Sequence, residues 1–150
     1  MRILECRARL TSGLTAASVL AVVAAIAAPV VAQDWPRLRQ GMWEITRTIQ
    51  APGGGAPKIM PVKKCMDPAA EWQAQNAKLS KAGCTFSPVK HSGNTYTFTA
   101  NCSVMGITSN TTTTILVESD SAYSLTVEGT TDGQPTKETA KARRVGDCAP

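Results

Sequence analysis

The chain has 150 residues, a formal net charge of +5 at pH 7, 43% apolar residues and only 5% aromatic residues. That length accommodates one domain and excludes a multidomain enzyme. The small charge excludes a strongly basic nucleic-acid binder, and the concentration of apolar residues in one Ala/Val-rich start excludes a polytopic membrane protein.

That start has the three regions of a secretory signal peptide. Arg2, Arg7 and Arg9 precede an uncharged run from Leu10 to Ala32, and Val30-Val31-Ala32 places small residues before the Ala32/Gln33 bond. The run is mostly Ala, which gains little in hydrocarbon, so cleavage is favoured over an uncleaved anchor. Cys6 precedes the apolar run instead of following it, which argues against a lipoprotein. The expected organisation is a signal peptide over 1–32 and one periplasmic or secreted domain over 33–150, with no membrane-spanning segment in the mature chain.

Trp35 to Gln40 reads as an irregular lead-in containing Pro36. Met42 to Ile49 alternates, with Trp43, Ile45 and Ile49 on one side of a half-buried strand; Arg47 falls on that same apolar side. The Pro/Gly-rich stretch 51–57 reads as a hairpin connection, and with no Gly-Lys-Ser/Thr after it a phosphate loop is not indicated. Lys58 to Cys65 returns as a strand that Pro61 marks as an edge or bulged one. Asp67-Pro68 opens a short helix at about 68–80 that carries Trp72, Asn76 and Leu79 at helical spacing and ends at Gly83. Period-two patterning follows. Thr85 to His91 is a short strand interrupted by Pro88, and Ser92-Gly93-Asn94 is a turn. Thr95 to Cys102 is the clearest half-buried strand, with Tyr96, Phe98 and Ala100 on one face. Strands over Thr111 to Glu118, Ala122 to Gly129 and Thr136 to Val145 complete the pattern, with turns at Gly106, Ser119-Asp120-Ser121 and Asp132-Gly133. The expected fold is mainly β, an antiparallel meander of seven or eight short strands, strongly curved or closed into a small barrel, with one helix inserted.

Loss of Cys6 with the signal leaves Cys65, Cys84, Cys102 and Cys148. An even number in an oxidising compartment implies two disulfides, whereas zinc would need a Cys-x-x-Cys spacing or more than the one histidine present. Of the three possible connectivities, Cys65 with Cys84 and Cys102 with Cys148 is favoured, the first closing a local helical excursion and the second tying down the C-terminus.

Gly41-Met42-Trp43-Glu44-Ile45-Thr46 after a signal peptide, Lys64-Cys65-Met66-Asp67-Pro68 at the helix start, Ser92-Gly93-Asn94-Thr95 and Arg144-Val145-Gly146-Asp147-Cys148 at the end together resemble the bacterial family called domain of unknown function 3617. The resemblance covers essentially all of the mature chain. It implies a small exported β-rich protein and supplies no catalytic residues. A looser similarity runs to lipocalins, whose first strand carries Gly-x-Trp as Gly41-Met42-Trp43 does here. It would assign to Arg143 or Arg144 the part of a basic residue packed over that Trp, and it implies barrel closure.

The remaining candidates favour ordinary structural explanations. His91 sits beside a turn with no sequence-local carboxylate or nucleophile. Met42, Met60, Met66 and Met105 lack the compact spacing of a copper site. The Thr run at 111–114 reads as a strand with an exposed face. Lys137, Lys141 and Arg143 share one side of the last strand and read as a solvated edge discouraging strand addition, with contact to an anionic envelope surface as the functional alternative. No catalytic, cofactor-binding or metal-ligating set emerges, and no cofactor is expected. Trp43, Phe98, Tyr123 and Leu125 are the candidate pocket-lining residues, with Trp72 also considered.

The first functional expectation is a non-enzymatic envelope protein binding an apolar small molecule or envelope component on a concave β surface. The second is an interaction module with no ligand cavity, and the third an enzyme of unknown type. Intact mass of envelope-derived protein is expected to give an N-terminus at Gln33 and a loss of four hydrogens relative to the reduced chain; four titratable thiols per molecule would overturn the crosslink assignment.

Overall fold

A computed structural model describes residues 34–50 and 55–149. The expected signal peptide, and positions 51–54 of the first hairpin connection, lie outside the described residues. Eight strands form one antiparallel sheet: β1 (Gly41–Ile49), β2 (Lys58–Met66), β3 (Cys84–Phe86), β4 (Lys90–Ser92), β5 (Thr95–Val104), β6 (Ile107–Ser119), β7 (Ala122–Thr131) and β8 (Gln134–Gly146). Among the described residues one helix, α1 (Pro68–Ala82), joins β2 to β3. The spatial order is β2-β1-β8-β7-β6-β5-β3, with β4 also on β5.

The long strands arise where alternation is unbroken and end where the turn chemistry requires it. β5 and β6 meet at Met105-Gly106, and β7 and β8 at Asp132-Gly133. In both pairs the two residues have positive φ (52° and 81°, then 47° and 76°), the conformation that follows strand twist in a two-residue hairpin. Pro88 splits the stretch expected as one strand into β3 and β4, because a proline nitrogen cannot donate to the ladder. Helix α1 begins where Asp67 accepts a hydrogen bond from Ala70 N–H (3.1 Å) and ends at Gly83, whose φ of 115° is open to a residue without a Cβ.

The sheet is curled but not closed. Its edges are β2 on one side and β3 with β4, both paired to β5, on the other, and the chain passes from β2 to β3 through α1, so a helix stands where strand pairing would have closed a barrel. Inside the curl, Trp43, Ile45, Phe98, Ile115, Tyr123, Ala140 and Ala142 form the buried core. The lead-in is part of that core: Trp35 and Pro36 are buried. Trp35 stacks with Trp72 (centroids 6.2 Å) and meets Phe98 edge-on (5.5 Å), while Trp72 meets Tyr123 edge-on (5.0 Å). Each such pair contributes about 0.5–1.5 kcal/mol beyond its buried area.

The disulfides are Cys65–Cys148 and Cys84–Cys102, which corrects the favoured connectivity. Two geometric facts exclude the expected pairs. The 15 residues of α1 separate Cys65 from Cys84 by about 22 Å of helical rise, far beyond what a disulfide spans. Cys102 lies on β5 and Cys148 follows β8, with β6 and β7 between those strands. Instead, Cys84 stands opposite Cys102 in the β3–β5 ladder, with Cα atoms 4.0 Å apart. Met42 of β1 pairs with Cys65 on one side and Gly146 on the other, which brings the C-terminus to β2 and the Cys65 and Cys148 Cα atoms to 5.4 Å. Peptide mapping without reduction should recover these two crosslinked pairs. Their sequence separations of 83 and 18 residues predict that losing Cys65–Cys148 costs about 4–5 kcal/mol and losing Cys84–Cys102 about 3 kcal/mol in denaturant unfolding.

Candidate functional site

The concave face of the sheet and the inner side of α1 enclose a groove of about 650 Å³, within the range of small-molecule sites. Its existence follows from side-chain size. Across β5, β6 and β8 the inward positions carry Ala100, Thr111, Thr113 and Ala140, which leave space above them that larger residues would fill. The aromatic cluster of Trp35, Trp43, Trp72, Phe98 and Tyr123 fills the adjoining part of the curl. Helix α1 contributes Trp72, Asn76 and Leu79, one helical face and the half-buried one. Val62 and Met66 come from β2, and Val104, Met105 and Ile107 from the β5–β6 turn.

That turn forms an apolar rim. Met105 is 97% exposed and Ile107 52% exposed. Met105 holds a left-handed backbone conformation that costs a non-glycine residue about 1–2 kcal/mol, and its side chain gains no burial in return.

Among the candidate lining residues, Phe98, Tyr123 and Leu125 border the groove together with Trp72. Trp43 does not. It is fully buried beneath the surface of the groove, its Nε1–H donating to the Arg39 carbonyl (3.1 Å) and its ring 5.5 Å from Tyr123.

Two ion pairs border the otherwise mainly apolar groove. Arg47 Nε donates to Glu138 Oε1 at 2.7 Å, and Lys64 Nζ to Glu71 Oε2 at 2.6 Å. Glu138 raises the Arg47 pKa above its ordinary value by accepting that hydrogen bond, against the opposing effect of burial. The sequence carried one signal for this pair, since Arg47 breaks the apolar side of β1; its partner, on a strand many residues later, had none. Tyr123, buried beside the groove, has its phenol pushed up to about 12 by desolvation and then by the Glu71 carboxylate.

The remaining charged candidates lie elsewhere. β8 is an interior strand between β1 and β7, not the edge expected from its charges. Lys137 pairs with Glu128 (2.6 Å) and Arg143 with Glu44 (2.7 Å) on the convex face, where Lys63 also reaches Glu44 (3.3 Å). Arg143 and then Lys63 hold the Glu44 carboxyl below the usual carboxylate range. Arg144 stands across the ladder from Trp43, but its guanidinium donates to the Gln40 carbonyl (2.9 Å) and to Asp147. A Cβ on residue 41 would collide with that guanidinium and with the Gly146 carbonyl, so the close approach requires glycine there. His91 pairs with Asp34 (2.8 Å) and stacks on Tyr96. Among the described residues, no three His, Cys, Asp or Glu side chains converge as a metal site, and no helix is long and apolar enough to cross a membrane.

The family described as Protein of unknown function (DUF3617) matches residues 38–148, from the end of the lead-in to the last disulfide cysteine. The chain belongs to that family. No curated protein and no solved structure matches it. The DUF3617 match spans both disulfides, α1 and every strand.

The Tyr123 shift has a defined consequence. A group whose pKa is raised in the folded state leaves stability intact below its unfolded value, near 10, and withdraws it as pH rises through the folded value, about 12. The loss above pH 12 is expected to reach about 2–3 kcal/mol. Absorbance titration is expected to show one tyrosinate appearing only around pH 12, a step absent from Tyr123→Phe; a single normal titration of both tyrosines would contradict the burial assigned here.

Proposed function

We propose that this DUF3617 protein is exported by a cleaved signal peptide over residues 1–32, carries no catalytic centre, and holds an apolar small molecule or envelope component in the groove beneath α1. The single observation that carries the reading is a groove of about 650 Å³ that is mainly apolar and bordered by Ile45, Phe86, Phe98, Leu125 and Val127. A sheet needing only an internal core would place large side chains where Ala100 and Ala140 stand. Export is supported by the N-terminal pattern and by two disulfides, which persist in oxidising compartments. The absence of catalysis is our reading of a site whose charged groups are tied in ion pairs and whose one histidine lies elsewhere.

The neutral probe N-phenyl-1-naphthylamine should bind the mature protein with enhanced fluorescence. Ala100→Leu, which projects a larger side chain into the groove, should weaken binding at least tenfold while circular dichroism stays unchanged, with a stability cost of about 1–3 kcal/mol. Native mass spectrometry of protein taken from its own envelope should show a bound low-mass species. A protein that neither binds the probe nor carries such a species has no ligand groove.

A further inference from the structure

The charged groups of the groove differ in how completely they are used. Lys64 presents a single ammonium to the groove, and Glu71 accepts from it. Arg47 is engaged with Glu138 through Nε alone. Among the described residues its two terminal nitrogens hold no protein partner; the guanidinium stands at the border of the groove, accessible to solvent and oriented by the Glu138 contact. A guanidinium has five N–H donors in a rigid fork, and the edge formed by the two terminal nitrogens matches a planar or tetrahedral oxyanion. Glu138 is satisfied by Arg47 and has a side chain only 25% exposed, against 43% for Arg47, so the cation is the more accessible half of the pair.

Apolar lining continues away from Arg47 in both directions. Val62 and Met66 lie toward the β2 edge, and Leu125, Val127 and Leu79 lead toward the β5–β6 turn. We infer that the ligand is a single-chain amphiphile with an anionic head, its oxyanion held by the terminal nitrogens of Arg47 and its chain lying on the apolar wall beneath α1. This rests on the groove reading above and deepens it by naming the ligand class. Glu138 is then a positioning residue: it fixes the guanidinium plane and leaves its outer edge facing the groove. The chemistry shared by a carboxylate and a phosphate monoester suffices for recognition, and the two are separated by experiment.

Displacement of N-phenyl-1-naphthylamine by four compounds of equal chain length tests the assignment: dodecanoate, monododecyl phosphate, dodecanol and dodecyltrimethylammonium. In the native chain at least one of the two anions should displace the probe about tenfold better than dodecanol, the gain expected of a hydrogen bond to a charged group, and the cation should be weakest. Whichever anion is stronger identifies the head group. Arg47→Met should abolish the preference, read as the ratio of anion to dodecanol affinity in the same variant, and Arg47→Lys should retain charge but lose most of the advantage. Glu138→Gln should reduce the head-group preference, read as the same ratio of anion to dodecanol affinity. Equal displacement by dodecanol and both anions overturns the inference, as does an anion preference that survives Arg47→Met. If probe and chains alike fail to bind, the groove reading falls and this one with it. If chains bind without regard to head group, only the Arg47 assignment falls.

Discussion

The structure depends on how one helix is held across the gap between the two edges of a curled sheet. Strand β2 ends one edge and β3 the other, and α1 is the segment that passes between them. Its own packing is thin, since most of its residues are exposed and beyond Pro68 and Ala69 in the first turn only Trp72, Asn76 and Leu79 turn inward. Sulfur supplies what packing does not. Cys65 stands just before the helix start and is tied to Cys148, while Cys84 follows the Gly83 cap and is tied to Cys102. Each end of α1 is thereby fastened to a strand or terminus that the sheet already fixes.

A helix fastened in this way can roof a groove without having to fill it. Strand-to-strand closure would have brought β2 against β3 and drawn the inner faces together until side chains occupied the interior. With α1 between the edges, the inner faces stay apart, and the small residues Ala100, Thr111, Thr113 and Ala140 leave the space unfilled. The cost of that opening is offset alongside it, where Trp35, Trp43, Trp72, Phe98 and Tyr123 concentrate most of the chain's few aromatic rings into one cluster. Stability and cavity thus share a boundary within a single small sheet, since Trp72, Phe98 and Tyr123 belong to both.

The two faces of the sheet treat charge differently. On the convex face Glu44, Lys63, Glu128, Lys137 and Arg143 form exposed pairs, worth little individually because water screens them. On the concave face Arg47 and Glu138 meet in partly dehydrated surroundings, where an ionised group needs a partner and holds a defined orientation once it has one.

The sequence by itself determined the elements and their character. Alternation marked the long strands, Asp67-Pro68 and Gly83 bounded the helix, Asp132-Gly133 announced a hairpin, and Pro88 broke a strand. Those signals act within a few residues, through backbone conformation and side-chain period, and so can be read locally. Only the tertiary structure decided which cysteines pair, because β1 recruits β8 as its second neighbour and carries the C-terminus to β2. The predicted helix already contained the argument against joining Cys65 to Cys84, since its rise separates them; the correct partners still required the order of strands. The burial of Trp35, the interior place of β8, the removal of Trp43 from the groove surface and the meeting of Arg47 with Glu138 have the same origin. Each joins residues that no local periodicity relates, through long-range register fixed by the burial of one face against another.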